Sequence, residues 1–86
     1  MHLDKVTKGQ KVKILSIPDN SVRAQAIRFG ISENEVVYIS EIILGGPIVL
    51  EKSKQEIAIG RKLAKTIEVE LIAKNYNPYA TAKVNV

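Results

Sequence analysis

The sequence predicts a mainly β fold: five short strands closed into a small barrel, one α-helix between the first and second strands, and a short helical turn before the last. Three observations carry this. Apolar and polar residues alternate in several separate runs, the signature of half-buried strands. Only one longer stretch repeats its apolar residues with a helical period. Glycine, proline and Asn/Ser clusters punctuate the boundaries between these runs. At 86 residues the chain makes one domain, and a domain of that size buries roughly 60–65% of its unfolded surface, enough for one modest core.

The first strand is Lys11 to Ile17, where Val12 and Ile14 point one way and Lys11 and Lys13 the other. Gly9 precedes it as a turn residue, and Pro18 ends it because proline has no N–H for the ladder. Asp19-Asn20-Ser21 is a cluster of good N-cap residues. A helix of about nine residues follows, with Val22, Ala26 and Phe29 spaced for one buried face and Ile27 alongside. Gly30 stands where a left-handed residue terminates a helix, and Ile31 is its apolar partner. Ser32-Glu33-Asn34 reads as a turn, and asparagine tolerates a positive φ.

Glu35 to Leu44 is β-branched and suits a long second strand, with Val37 and Ile39 inward. Gly45-Gly46-Pro47 breaks it. Ile48 to Lys52 and Gln55 to Ile59 form a hairpin about Ser53-Lys54, with Ile48, Leu50, Ile57 and Ile59 inward. Residues 60–65 make one helical turn. Thr66 to Leu71 is the last clear strand, with Ile67, Val69 and Leu71 facing in. Five strands with exposed edges must close or be covered, and an SH3-like β-barrel over residues 1–72 fits the length and turn spacing. Residues 73–86 form an extension that is either frayed or an added edge strand.

Composition excludes several functions. The chain has no cysteine, which removes disulfides, thiolate metal sites and thiol nucleophiles and points to the cytoplasm. The N-terminus has no signal-peptide pattern, and no run approaches the about 20 apolar residues that span a bilayer. The formal net charge is +4, with acidic residues interspersed among the basic ones.

The residues now assembled resemble a known family. Leu3-x5-Gly9, Val12-x-Ile14, Arg28-Phe29-Gly30-Ile31, a turn at Asn34, Gly46-Pro47-Ile48, Ile57-Ala58-Ile59 and Ala64-x2-Ile67-x-Val69 follow in the order seen in FeoA, the ferrous iron transport protein A family. The resemblance covers about residues 3 to 71. Asn34 and Lys54 stand where glycines are usual, Gly60 replaces a basic residue, and the tail runs past the family's usual end. The resemblance implies a non-enzymatic accessory protein of bacterial ferrous iron uptake. It also implies a partner, FeoB, a membrane transporter with a cytoplasmic GTP-binding domain, which the chain would bind and modulate on the cytoplasmic side.

The residues offer no cofactor site and little chemistry of their own. A ferrous site wants a cluster such as two histidines and a carboxylate. His2 is the sole histidine, read here as an exposed residue at a mobile terminus near Asp4. No phosphate loop is present, and the Gly45-Gly46-Pro47 run reads as a strand break. Polyproline grooves are lined with aromatics, but this chain has no Trp, one Phe and three Tyr, with Phe29 expected in the core. Two candidate partner-binding surfaces remain: the outer side of the helix with its turn (Arg23, Arg28, Glu33, Asn34), and the loop Leu44, Gly45, Gly46, Pro47 with Ile43 beside it.

Two other readings compete. The Gly9-x2-Val12-x-Ile14 start and the basic excess resemble RNA-binding barrels, so a small basic barrel for RNA or DNA is the alternative. It needs a contiguous basic track and stacking aromatics, neither of which is evident. A homo-oligomer built through the Ala80–Val86 tail is the third.

Overall fold

The alternation around Val12 and Ile14 becomes strand β1, Lys11–Ser16, in a computed structural model that describes residues 1–74. Helix α1, Asn20–Arg28, follows, then β2, Val36–Ile42; β3, Ile48–Lys52; β4, Gln55–Ile59; a single helical turn α2, Arg61–Ala64; and β5, Glu68–Ala73. One further 3₁₀ turn, Leu3–Lys5, lies ahead of β1. The mainly β class, the helix between the first two strands and the helical turn before the last strand all match the sequence reading. Of the extension expected over residues 73–86, Ala73 is the last residue of β5 and residues 75–86 lie outside the described residues.

All five strands pair antiparallel in one sheet of order β4-β3-β2-β1-β5. The expected closure into a barrel is not what forms: β4 and β5 are the two edges and no ladder joins them. The N-terminus occupies part of the place where closure would occur. Met1 and Leu3 exchange backbone hydrogen bonds with Ile67 and Val69, and His2 bridges Glu68. The first three residues therefore cover the upper part of the β5 edge, and their polar backbone groups are satisfied there. The expectation of a mobile N-terminus is corrected by the same pairing, while His2 is exposed as expected.

Register irregularities bend the sheet. A shift between Ile39 and Glu41 on β2 leaves Ser40 out of step, and its hydroxyl donates to the Val49 carbonyl at 3.2 Å. A second shift, between Ile14 and Ser16 on β1, leaves Leu15 unpaired and exposed. The inward faces of the strands, with Leu3, Val6, Ala26, Ile31, Ala64 and Ile67, enclose one continuous aliphatic core that holds no buried polar or charged residue among those described.

Three local expectations shift. β2 stops at Ile42 because Ile43 already turns towards Gly45, whose φ is +70°. β5 starts two residues late because Thr66 still belongs to the helical turn, its N–H and hydroxyl both donating to the Leu63 carbonyl. Leu71, expected inward, is exposed. It pairs with buried Val12 but lies beyond Val69, where the N-terminal cover ends.

Helix α1 starts and stops as its end residues dictate. The Asp19 carboxylate accepts from the Ser21 and Val22 N–H groups, each at 3.0 Å, and from the Ser21 hydroxyl. The Val22 N–H, the Ser21 hydroxyl and other contacts hold its carboxyl below the ordinary 3.8. A carboxyl depressed in the folded state stabilises above its unfolded value, and that contribution disappears as pH falls through the folded value. Asp19→Ala is therefore expected to lower the thermal midpoint relative to the parent at pH 7. The gap should close below pH 3.8. Melts of both proteins at pH 7 and near pH 2 check this, and an undiminished gap in acid refutes it.

At the other end, the Gly30 N–H donates to Ile27 and the Ile31 N–H to Ala26, both at 2.9 Å, with Gly30 at φ +74°. This is a Schellman termination, and Ile31 turns back into the core against Ala26. A β-branched residue at that φ is strongly disfavoured. Gly30→Val is expected to destabilise by about 1–2 kcal/mol or more, whereas Asn34→Gly, at φ +75°, is expected to be neutral within about 0.5 kcal/mol. Urea titration of the two variants measures both.

Candidate functional site

The two predicted surfaces lie at opposite ends of β2. Helix α1 and the turn at Asn34 lead into Val36, whereas residues 43–47 follow Ile42. A strand of seven residues separates them by about 20 Å. They are two surfaces, and the structure does not bring them together.

At the α1 end, two of the predicted charged groups hold their own chain together. The Arg23 guanidinium donates to the Ile17 carbonyl at 2.9 Å and to the Pro18 carbonyl at 3.1 Å. The Glu33 carboxylate accepts from the Ile17 N–H at 3.0 Å. Both staple the corner between β1 and α1. Asn34 is exposed, and its N–H donates to the Ile14 carbonyl at 2.7 Å. Arg28 projects from the last turn of α1 and is exposed.

The apolar content of this end went unread in the sequence. Ile27 is 56% exposed and Phe29 40% exposed, although helical spacing put both at the core. The helix ends at Arg28, so Phe29 leaves the helical screw. The left-handed residue at Gly30 then sends Ile31 inward in its place. The buried stripe of α1 shrinks to Val22 and Ala26. What remains outside is an isoleucine and an aromatic ring, with Arg28 between them in the sequence.

A second unread feature fixes that apolar pair. The Lys52 ammonium, at the end of β3, donates to the Gly30 carbonyl at 2.9 Å and pairs with the Glu35 carboxylate. It ties the exit of α1 to the sheet, so Ile27, Arg28 and Phe29 stand on a braced element. No spacing rule in the sequence links residues this far apart.

At the opposite end, residues 43–47 form a tight hairpin loop. The Ile43 N–H donates to Pro47 at 3.1 Å and the Gly46 N–H to Ile43 at 2.7 Å. The Arg61 guanidinium of α2 donates to the Ile43 carbonyl at 3.1 Å. A Cβ at Gly46 would press on Ile43 Cγ2 at 3.0 Å, so a side chain there makes Ile43 shift. Leu44 at the tip is 100% exposed and Ile43 is 48% exposed.

Among the described residues, no three His, Cys, Asp or Glu side chains converge to hold a metal. No described helix is long and apolar enough to cross a membrane. Buried unsatisfied side-chain polar atoms are also absent among these residues. Both ends present exposed apolar side chains near an arginine on hydrogen-bonded backbone.

Comparison with known proteins places this geometry. The model of the FeoA domain family matches residues 1–71. The solution structure of the FeoA protein from Chlorobium tepidum superimposes with a TM-score of 0.75 at 20% identity, over 91% of this chain and 76% of that one. The crystal structure of an iron uptake regulatory protein, also FeoA, gives 0.71 at 22% identity, over 84% and 97%. A FeoA-like protein from Clostridium acetobutylicum gives 0.67 at 26% identity, over 90% and 92%. No curated protein sequence is significantly similar to the chain.

Proposed function

Since the chain belongs to the FeoA domain family, associated with ferrous iron transport, we propose that it is a non-enzymatic accessory protein that binds a FeoB-type transporter. It binds the cytoplasmic GTP-binding domain and modulates it, and it does so through the α1 end. The carrying observation is the exposed Ile27 and Phe29 on either side of Arg28, braced through Gly30 by Lys52. Apolar and aromatic side chains with an arginine are what dominate binding energy at protein interfaces. Asn34 adds an exposed polar group at the same end of the sheet. Arg23 supports the surface from behind, since its guanidinium already serves Ile17 and Pro18.

The alternative of a nucleic-acid barrel is weaker on the same surface. Single-strand binders stack bases on aromatic platforms along a basic groove. Here Phe29 follows one arginine, and the cation braced at the Gly30 carbonyl, Lys52, is paired with the Glu35 carboxylate. Titration of the full chain against the transporter's soluble GTP-binding domain tests the proposal. Saturable binding at micromolar concentration is expected, and none at high micromolar concentration overturns it.

A further inference from the structure

The loop at the other end of β2 has a property that transporter binding leaves unused. Leu44 stands fully exposed at the tip of a hairpin, with Ile43 half-exposed beneath it. Three hydrogen bonds hold that tip in place, one of them from Arg61. Such a tip is a single apolar finger, with no flat apolar field around it.

Its neighbours along the chain are cationic, and the 3₁₀ turn packed against α2 adds one charge of each sign, Asp4 and Lys5. Arg61 lies against the loop. Lys62 is its exposed neighbour, and Lys65, exposed one helical turn on, shares the face of Arg61. Residues 43–48 and 59–66 contain no aspartate or glutamate. Glu41, the nearest carboxylate before the loop, is paired with Lys8 at 3.5 Å. The α1 end, by contrast, carries carboxylates among its cations, with Glu35 paired to Lys52 and Glu33 on the Ile17 N–H.

We propose that the Leu44 tip, backed by Arg61, Lys62 and Lys65, inserts into the headgroup region of an anionic lipid surface. A lone apolar finger suits a deformable lipid interface, which needs no matching pocket. The cations behind it complement anionic headgroups. Neither signal is sufficient alone, because reversible peripheral binding takes an apolar insertion together with basic attraction. The α1 end then points away from the lipid, about a strand's length from the surface. This binding is independent of the transporter reading, and the vesicle experiments read it without the transporter.

The chain has no tryptophan, so Leu44→Trp supplies a single reporter at an exposed position. With phosphatidylserine-containing vesicles its emission is expected to shift to the blue and to be quenched by brominated acyl chains. Pure phosphatidylcholine vesicles or high salt should abolish the shift. A Phe29→Trp reporter should not respond to either vesicle. In co-sedimentation, Leu44→Glu is expected to reduce binding of the full chain by about tenfold or more, and Lys62→Glu with Lys65→Glu to reduce it comparably. Failure of the parent to bind anionic vesicles overturns the proposal, as does binding that Leu44→Glu leaves unchanged. It is equally overturned if the Leu44→Trp reporter responds only to the transporter's soluble domain, which would make the tip a protein contact.

Discussion

Leu3→Ala is expected to destabilise the protein by about 2–5 kcal/mol, the largest stability change among the substitutions considered. Leu3 is fully buried although it precedes the first strand by eight residues. Its N–H donates to the Ile67 carbonyl at 2.8 Å, so the side chain is pinned against the core by an edge pairing. Truncation removes the buried isobutyl group and leaves a cavity that the pairing prevents from collapsing. Domains of this size are held by only about 5–10 kcal/mol, so the loss consumes much of the total. Phe29→Ala is the matched control: its ring is 40% exposed and stability should change by less than about 1 kcal/mol. Urea unfolding of both variants decides. Equal destabilisation would mean that Phe29 is a core residue and that the sequence reading of the helix face was right.

The contrast between these residues shows where the sequence was informative. Strand alternation is a local property, so Val12, Ile14, Val37, Ile39, Ile48, Leu50, Ile57 and Ile59 were all assigned inward, and all are buried. Helix ends are local too: Asp19 caps as its chemistry dictates, and Gly30 takes the left-handed turn expected of it. Phe29 failed for a reason of one residue. The helical screw stops before it, and the glycine turn hands its core position to Ile31. Sheet closure failed for a long-range reason. Whether β4 meets β5 depends on what else competes for the β5 edge, and residues 1–3 read as an unstructured lead-in. The brace from Lys52 to Gly30 and Glu35 joins residues 17 to 22 apart and has no sequence signature. Of the candidate site, the loop residues were legible because a Gly-Gly-Pro break beside Leu44 marks an exposed apolar turn. The apolar pair at the α1 end was hidden by the assumption that helical spacing means burial.

Replacing Ile27 and Phe29 by alanine together is expected to weaken binding to the transporter's GTP-binding domain by about 30-fold or more. The reasoning turns on exposure. Two large apolar side chains in water gain most when a partner covers them, at roughly 25 cal/mol per Å² of apolar surface removed from water. Arg28 between them adds a charged contact, which by itself at an exposed rim is worth about 1 kcal/mol or less. The double alanine variant should therefore lose much more affinity than Arg28→Ala while keeping its unfolding midpoint near the parent's. Lys52→Met separates contact from positioning. It leaves Ile27 and Phe29 in place but removes the ammonium that holds the Gly30 carbonyl and Glu35. A braced surface predicts an intermediate loss of affinity with a slightly lower unfolding midpoint. Isothermal titration of the three variants gives the order. If Arg28→Ala loses as much as the double variant, the surface works by charge; if none of the three moves, binding lies elsewhere on the protein.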